Sequence, residues 1–182
     1  MRLTQKSPNR VIPVIMTVGI ISLISMEAAG WSIGWNSSES MPTGLYLLSP
    51  VTRIDRDNLV AACIPKSDLT DNYMARGYLP SGDCPSGMAR VLKPVAALAG
   101  DEVRIEEDGV TVNGVSIAGS QVADLDSHGR PLPHLPISWR QKLPTDSYFL
   151  LSTHSSRSLD SRYFGPVDRA DVVYRARALM VF

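Results

Sequence analysis

The chain has 182 residues, 44% of them hydrophobic, and its 18 basic and 18 acidic side chains cancel to a formal net charge of zero. That length supports one domain's core plus a membrane segment, and the balanced charge, without a long basic block, excludes a nucleic-acid footprint. Charged residues make up 20% of the chain, below the roughly 25% of soluble domains, which fits partial embedding in a membrane.

Residues 1–10 carry Arg2, Lys6 and Arg10, and an uncharged run follows over 11–26. A span needs roughly 17–25 residues, which an extension through Glu27 to Trp31 supplies. The positive-inside rule then makes 1–10 a cytoplasmic N-terminus, 11–31 a transmembrane anchor in the inner membrane and 32–182 a periplasmic domain. Trp31 and Trp35 fall where an interfacial aromatic belt lies. The alternative is a cleaved signal peptide, because Glu27-Ala28-Ala29-Gly30 places small residues after the apolar core. Export follows on either reading.

The exported part reads as mainly β, a folded antiparallel sheet or partly open barrel. Apolar runs over 45–48, 58–64 and 88–98 are strands, and 102–105 alternates as a half-buried strand does. Asp108-Gly109 and Asn113-Gly114 are hairpin signals that suit type I′ turns, with a strand at 110–112 between them. Strands follow at 147–152 and 172–182, the last with Val172, Tyr174, Ala176, Ala178 and Met180 on one face. One helix is expected over 67–75, capped by Ser67, with Asp68 favourable near its N-terminus. Residues 118–144, rich in Pro, Gly, Ser and Asp, form a long irregular insertion.

Cys63 and Cys84 are the only cysteines. In an oxidising periplasm they pair as a disulfide; the alternative is two buried thiols. Two cysteines cannot build a structural zinc site, and His128, His134 and His154 show no ligand spacing.

Ser40-Met41-Pro42-Thr43-Gly44 follows the apolar segment closely. Pro42 and Gly44 impose a sharp backbone path around Ser40, which can present a hydroxyl and aim its N–H at an oxyanion; Ser38 offers a second donor. The alternative is a simple turn. A serine needs a base, and a lysine serves if burial keeps its amine neutral. Lys93 sits among Val91, Leu92, Pro94 and Val95; Pro94 holds it extended, so it shares a strand face with Val91 and Val95. The alternative is an edge lysine reaching solvent. Asp160 and Arg162 flank Ser161, either as a structural salt bridge or as a carboxylate that positions other groups.

The segment 40–46, Arg90-Val91-Leu92-Lys93 with a following Gly100-Asp101, and residues 158–165 together resemble the bacterial type I signal peptidases. The resemblance is closest to their conjugative branch, the TraF-like transfer peptidases. It implies Ser40 as nucleophile, Lys93 as general base and Asp160 as a functionally required carboxylate paired with Arg162. It further implies that Ser38 is a side-chain oxyanion donor and that Ser158 is a hydroxyl holding the lysine amine. Departures from ordinary signal peptidases are Ser152-Thr153-His154 in place of Gly-Asp-Asn and Ala99-Gly100-Asp101 in place of Pro-Gly-Asp.

The resulting expectation is a membrane-anchored serine endopeptidase that needs no cofactor. It processes, and in family members also cyclises, a conjugative pilin precursor as part of the transfer apparatus. A general signal peptidase removing leader peptides is the alternative within the class. A non-catalytic, membrane-tethered pilus assembly factor is the alternative outside it. A repressor-type self-cleaving protease fits poorly, because such proteins carry a DNA-binding domain where this chain is apolar.

Overall fold

The computed structural model describes residues 11–182; the expected cytoplasmic segment 1–10 lies outside the described residues. The chain divides into two units, Met1–Ser32 and Ile33–Phe182. In the first, α1 (Val11–Ala28) has 18 residues, about 27 Å at ~1.5 Å per residue. It ends where Gly30 takes φ 76° and the N–H groups of Gly30 and Trp31 bond back to the carbonyls of Glu27 and Met26, a glycine stop of the Schellman kind. The expected continuation to Trp31 is therefore not helical. Among the described residues, no helix is long and apolar enough to cross a membrane.

The second unit is mainly β. Its strands are β1 (Ser32–Asn36, which begins one residue earlier), β2 (Gly44–Pro50), β3 (Leu59–Ala62), β4 (Val91–Ala97), β5 (Glu102–Glu106), β6 (Gly109–Val112), β7 (Val115–Ile117), β8 (Arg140–Lys142), β9 (Ser147–Leu150), β10 (Val167–Asp168) and β11 (Val172–Val181). Two short helices accompany them, α2 (Asp68–Ala75) and α3 (Ser161–Phe164). One open sheet runs β1-β2-β11-β3-β4-β9-β10, and a second runs β7-β6-β5-β8. The second sheet is an insertion between β4 and β9, which are neighbours in the first and pair antiparallel.

The sequence patterns explain most of these elements. In β4 the buried residues alternate strictly, placing Val91, Lys93, Val95 and Ala97 on one inward face, as period-two geometry requires. Ser67 caps α2 with a full capping box, its hydroxyl accepting from Thr70 N and Thr70 Oγ1 accepting from Ser67 N. Asn113 and Gly114 both have positive φ and join β6 to β7 in the expected two-residue turn.

Two expectations need correction. Asp108-Gly109 is not a type I′ turn: the loop between β5 and β6 is Glu107-Asp108, and Gly109 already pairs with Glu106. Gly109 holds φ 133° against Ser120 Oγ, which a Cβ would meet at 2.5 Å; that hydroxyl accepts from Val110 N. The face expected along β11 is also interrupted, by register shifts between Val172 and Tyr174 and between Ala178 and Met180, and Met180 is 57% exposed. The long irregular insertion over 118–144 is docked on the rest of the unit. Asp126 accepts from Tyr78 Oη and from Arg130 Nε, and β8 extends the second sheet.

Packing divides into a cluster around Val60, Ile64, Tyr73, Met88, Val95 and Leu150 and one around Val103, Ile105, Val110 and Phe149. Cys63 and Cys84 form a disulfide with Cα atoms 5.6 Å apart, at a sequence separation of 21. It ties the end of β3 to the segment leading into β4. Replacing both cysteines by alanine should lower unfolding stability by about 3 kcal/mol on the loop-entropy scale, measured by urea denaturation of the detergent-solubilised chain. An unchanged midpoint would show that the cross-link constrains nothing that α2 and its packing do not already fix.

Candidate functional site

Ser40 sits in the loop between β1 and β2, and Asn36, the last residue of β1, shapes that loop. Its Nδ2 donates to the carbonyls of Ser38, Met41 and Pro42 at 3.0–3.1 Å, and its Oδ1 accepts from Ser38 N. Tyr46 Oη donates to Pro42 O at 2.7 Å. Gly44 begins β2 at φ 152°, where a Cβ would lie 2.1 Å from the Met180 carbonyl; only glycine lets β2 approach β11 there. The reading of Pro42 and Gly44 as constraints on the path around Ser40 therefore has a physical basis.

Lys93 projects inward from β4 and is 4% exposed, and Ser40 is 8% exposed. The Lys93 Nζ lies 2.5 Å from Ser40 Oγ. Burial pushes the Lys93 amine down to about 8; Asp160 acts upward on it and Arg162 downward. Ser38 Oγ lies 2.8 Å from Ser40 Oγ. The four groups at this point are thus one buried amine, two hydroxyls and the Ser40 backbone N–H.

Asp160 and Arg162 are fully buried behind it. Arg162 Nε donates to Asp160 Oδ1 at 2.8 Å and Nη2 to Oδ2 at 2.7 Å, a two-pronged pair of the strong kind. Arg162 also donates to the carbonyls of Gln121 and Ser158, so its charge is fully occupied. Asp160 caps α3 and accepts from Ser152 N at 3.1 Å. Ser158 is buried, but its hydroxyl makes no hydrogen bond. The expected role of Ser158 as the holder of the lysine amine is not met in this geometry, since its contribution runs through its carbonyl to Arg162.

The sequence reading missed two residues. Asn36 ends alternating β1 and looks like an ordinary turn asparagine. Ser152 appeared only as a departure from Gly-Asp-Asn, yet its hydroxyl donates to the Ser40 carbonyl at 2.5 Å while its N–H reaches Asp160. It is the direct link from the buried ion pair to the loop bearing Ser40.

A buried amine of lowered proton affinity beside a serine hydroxyl can take that hydroxyl's proton, and hydrogen-bond donors alongside can stabilise an oxyanion. Residues 7–181 match the family described as signal peptidase, peptidase S26, and the chain belongs to that family. A plasmid transfer protein TraF of Escherichia coli is 35% identical over 147 residues, covering 81% of this chain and 82% of the relative. A probable conjugal transfer protein TraF of Sinorhizobium fredii is 37% identical over 175 residues, covering 92% and 86%. Among solved structures, a signal peptidase I of Enterococcus faecalis V583 is 25% identical, covers 69% of this chain and 97% of its own, and superposes with a TM-score of 0.39.

The lowered Lys93 value has a definite sign. Between about 8 and the usual 10.5 the unfolded chain holds the proton that the folded chain has released, so stability from this group rises with pH across that window and is absent below it. Heteronuclear NMR of the lysine amines should show one titration near pH 8. A Lys93 signal titrating at or above the usual value would show that burial does not lower the proton affinity of this amine.

Proposed function

We propose that this chain is a membrane-anchored serine endopeptidase in which Ser40 is the nucleophile and Lys93 the general base. The observation that carries this reading is the 2.5 Å approach of Lys93 Nζ to Ser40 Oγ inside apolar surroundings. Neutral Lys93 takes the Ser40 proton as Oγ attacks the scissile carbonyl, and then returns it to the leaving amine. The Ser40 N–H and the Ser38 hydroxyl stabilise the oxyanion, the latter turning away from Ser40 Oγ as charge develops. Arg162 holds Asp160, and Ser152 transmits that fixed position to the Ser40 loop.

A cavity of about 670 Å³ lined by Ser38, Ser40 and Lys93 lies beside the pair. One wall is the stretch 90–93. Among the described residues, Val91 to Pro94 pair with β3, and β9 joins the other edge of β4 in register at Val95 and Ala97. The free edge before Pro94 suits an extended peptide that adds as a strand.

The substrate we assign is a pilin precursor of a conjugative transfer system, in keeping with the TraF relatives. We place the chain in the inner membrane, anchored through 11–31, with 32–182 in the periplasm. The uncharged run over 11–26, the disulfide and the exposed Trp31, Ile33, Trp35 and Phe182 support that placement. A reporter active only in the cytoplasm, fused after Phe182, should stay silent.

In co-expression with a candidate pilin, Ser40→Ala and Lys93→Arg should each lower processing at least about 10³-fold, because one lacks the nucleophile and the other keeps its charge at every working pH. Wild-type turnover should rise with pH through about 8, the Lys93 value. Mass spectrometry of the product separates a linear trimmed chain from one lighter by a water, which is cyclic. An active Lys93→Arg chain would falsify the assignment of Lys93 as base.

A further inference from the structure

The cavity beside Ser40 and Lys93 has a far wall that the reacting pair does not touch. Moving back along β4 from Lys93 to Arg90 covers about 10 Å, at ~3.3 Å per residue. At that end Ala89 N donates to Pro80 O at 2.7 Å. Tyr78, just before Leu79 and Pro80, donates its hydroxyl to Asp126 of the 118–144 insertion. Asp126 belongs to a short hairpin over 124–132. In it Leu132 N donates to Asp124 O, Asp126 N donates to Arg130 O, and Leu125 faces Pro131. Tyr78, Leu125, Asp126 and Ser127 line the same cavity as Ser40 and Lys93.

The hairpin is fastened along one edge. Arg76 Nη1 donates to Pro131 O at 2.6 Å, and Tyr73 Oη donates to Pro133 O. The Asp126 carboxylate, 3% exposed, gathers Tyr78 Oη and Arg130 Nε, and Arg130 Nη2 donates to Tyr78 Oη at 2.9 Å. The other edge is open. Leu125 and Pro131 form a non-hydrogen-bonded pair of an antiparallel ladder, so the Leu125 N–H and C=O point away from Pro131. Among the described residues they have no hydrogen-bond partner. β4 presents a second open edge to the cavity. Val95 spends its N–H and C=O on Asn58 and Asp57, and Pro94 O accepts from Leu151 N. By alternation Leu92 points the same way as Pro94, away from β3, where β9 no longer pairs.

We infer that the hairpin over 124–132 is a distal clamp, which takes the substrate backbone through Leu125 several residues before the scissile bond. This rests on the serine–lysine peptidase reading above. The acyl segment must stay bound through both chemical steps, so it is the side that needs backbone pairing. Leu92 supplies such pairing near Lys93, and Leu125 supplies it at the far end. The Asp126 cluster and α2 hold the hairpin in place, so Tyr78, Asp126 and Arg130 act as positioning residues. The cavity also carries Glu39, Arg90 and Arg157, charges of both signs, so its side chains do not call for one kind of residue. The two edges select instead for shape. They suit an extended segment with free N–H and C=O groups, at least about four residues long at ~3.3 Å per residue, and reject a helical one.

The test uses the detergent-solubilised full chain and two acyl donors, the thiobenzyl esters of N-acetyl-dialanine and N-acetyl-hexaalanine. Their acyl segments span about 7 and about 20 Å when extended. Thiol release gives kcat/KM for each, and the ratio of long to short donor does not depend on the fraction of enzyme that is folded. In the wild type the long donor should be favoured about tenfold or more, chiefly through KM, the scale of two added hydrogen bonds. Leu125→Pro removes one N–H and should lower the ratio about fivefold. Replacing 125–131 by two glycines should bring the ratio close to that of donors bound alike, and Asp126→Asn should fall between. A wild-type ratio near one, or an undiminished ratio in either Leu125→Pro or the hairpin replacement, would overturn the clamp while leaving the peptidase standing. Thiol release that does not depend on Ser40 would instead remove the peptidase reading, and the clamp with it.

Discussion

A lysine amine buried to 4% exposure is costly as an ion, and the arrangement around Lys93 depends on how that cost is handled. A carboxylate paired directly with it would keep it charged. Asp160 is near enough to act on Lys93, but both its oxygens are engaged by Arg162. The guanidinium takes up the carboxylate's charge and itself opposes a proton on Lys93. The fully buried ion pair thus holds a negative group in place while Arg162 offsets part of its upward pull on the amine, and burial remains the largest effect. Buried pairs repay their own desolvation poorly, which makes sense of the many other partners Arg162 holds.

The sheet brings these parts together from distant stretches of chain. The Ser40 loop precedes β2, Lys93 is on β4, and the ion pair follows β9. The insertion between β4 and β9 folds into its own sheet, so the two strands still meet at Val95 and Leu150. Through the carbonyls of Gln121 and Ser158 and the N–H of Ser152, the Asp160–Arg162 pair fastens the insertion and the segment after β9 to one point.

Features with local causes were readable from sequence. The inward lysine followed from alternation and Pro94, the helix at 67–75 from its capping serine, and the Asn113-Gly114 turn from two residues tolerant of positive φ. Features set by distant partners were not. Gly109 is a glycine because Ser120 lies against it, not because a turn needs it. The side chain of Asn36 acts on residues up to six positions ahead, and nothing in its neighbours signals that. Ser152 shows its use only when Ser40, 112 positions earlier, is placed beside it. The late register shift in β11 follows from pairing with β2, which strict alternation cannot anticipate.

The last strand has a consequence for when the protein acquires its chemistry. β11 lies between β2 and β3, and the Phe182 N–H bonds to the Thr43 carbonyl. Without it, the strand following Ser40 and the strand neighbouring Lys93 have no common sheet. A chain without β11 would therefore hold the Ser40 hydroxyl and the Lys93 amine on separate pieces of sheet.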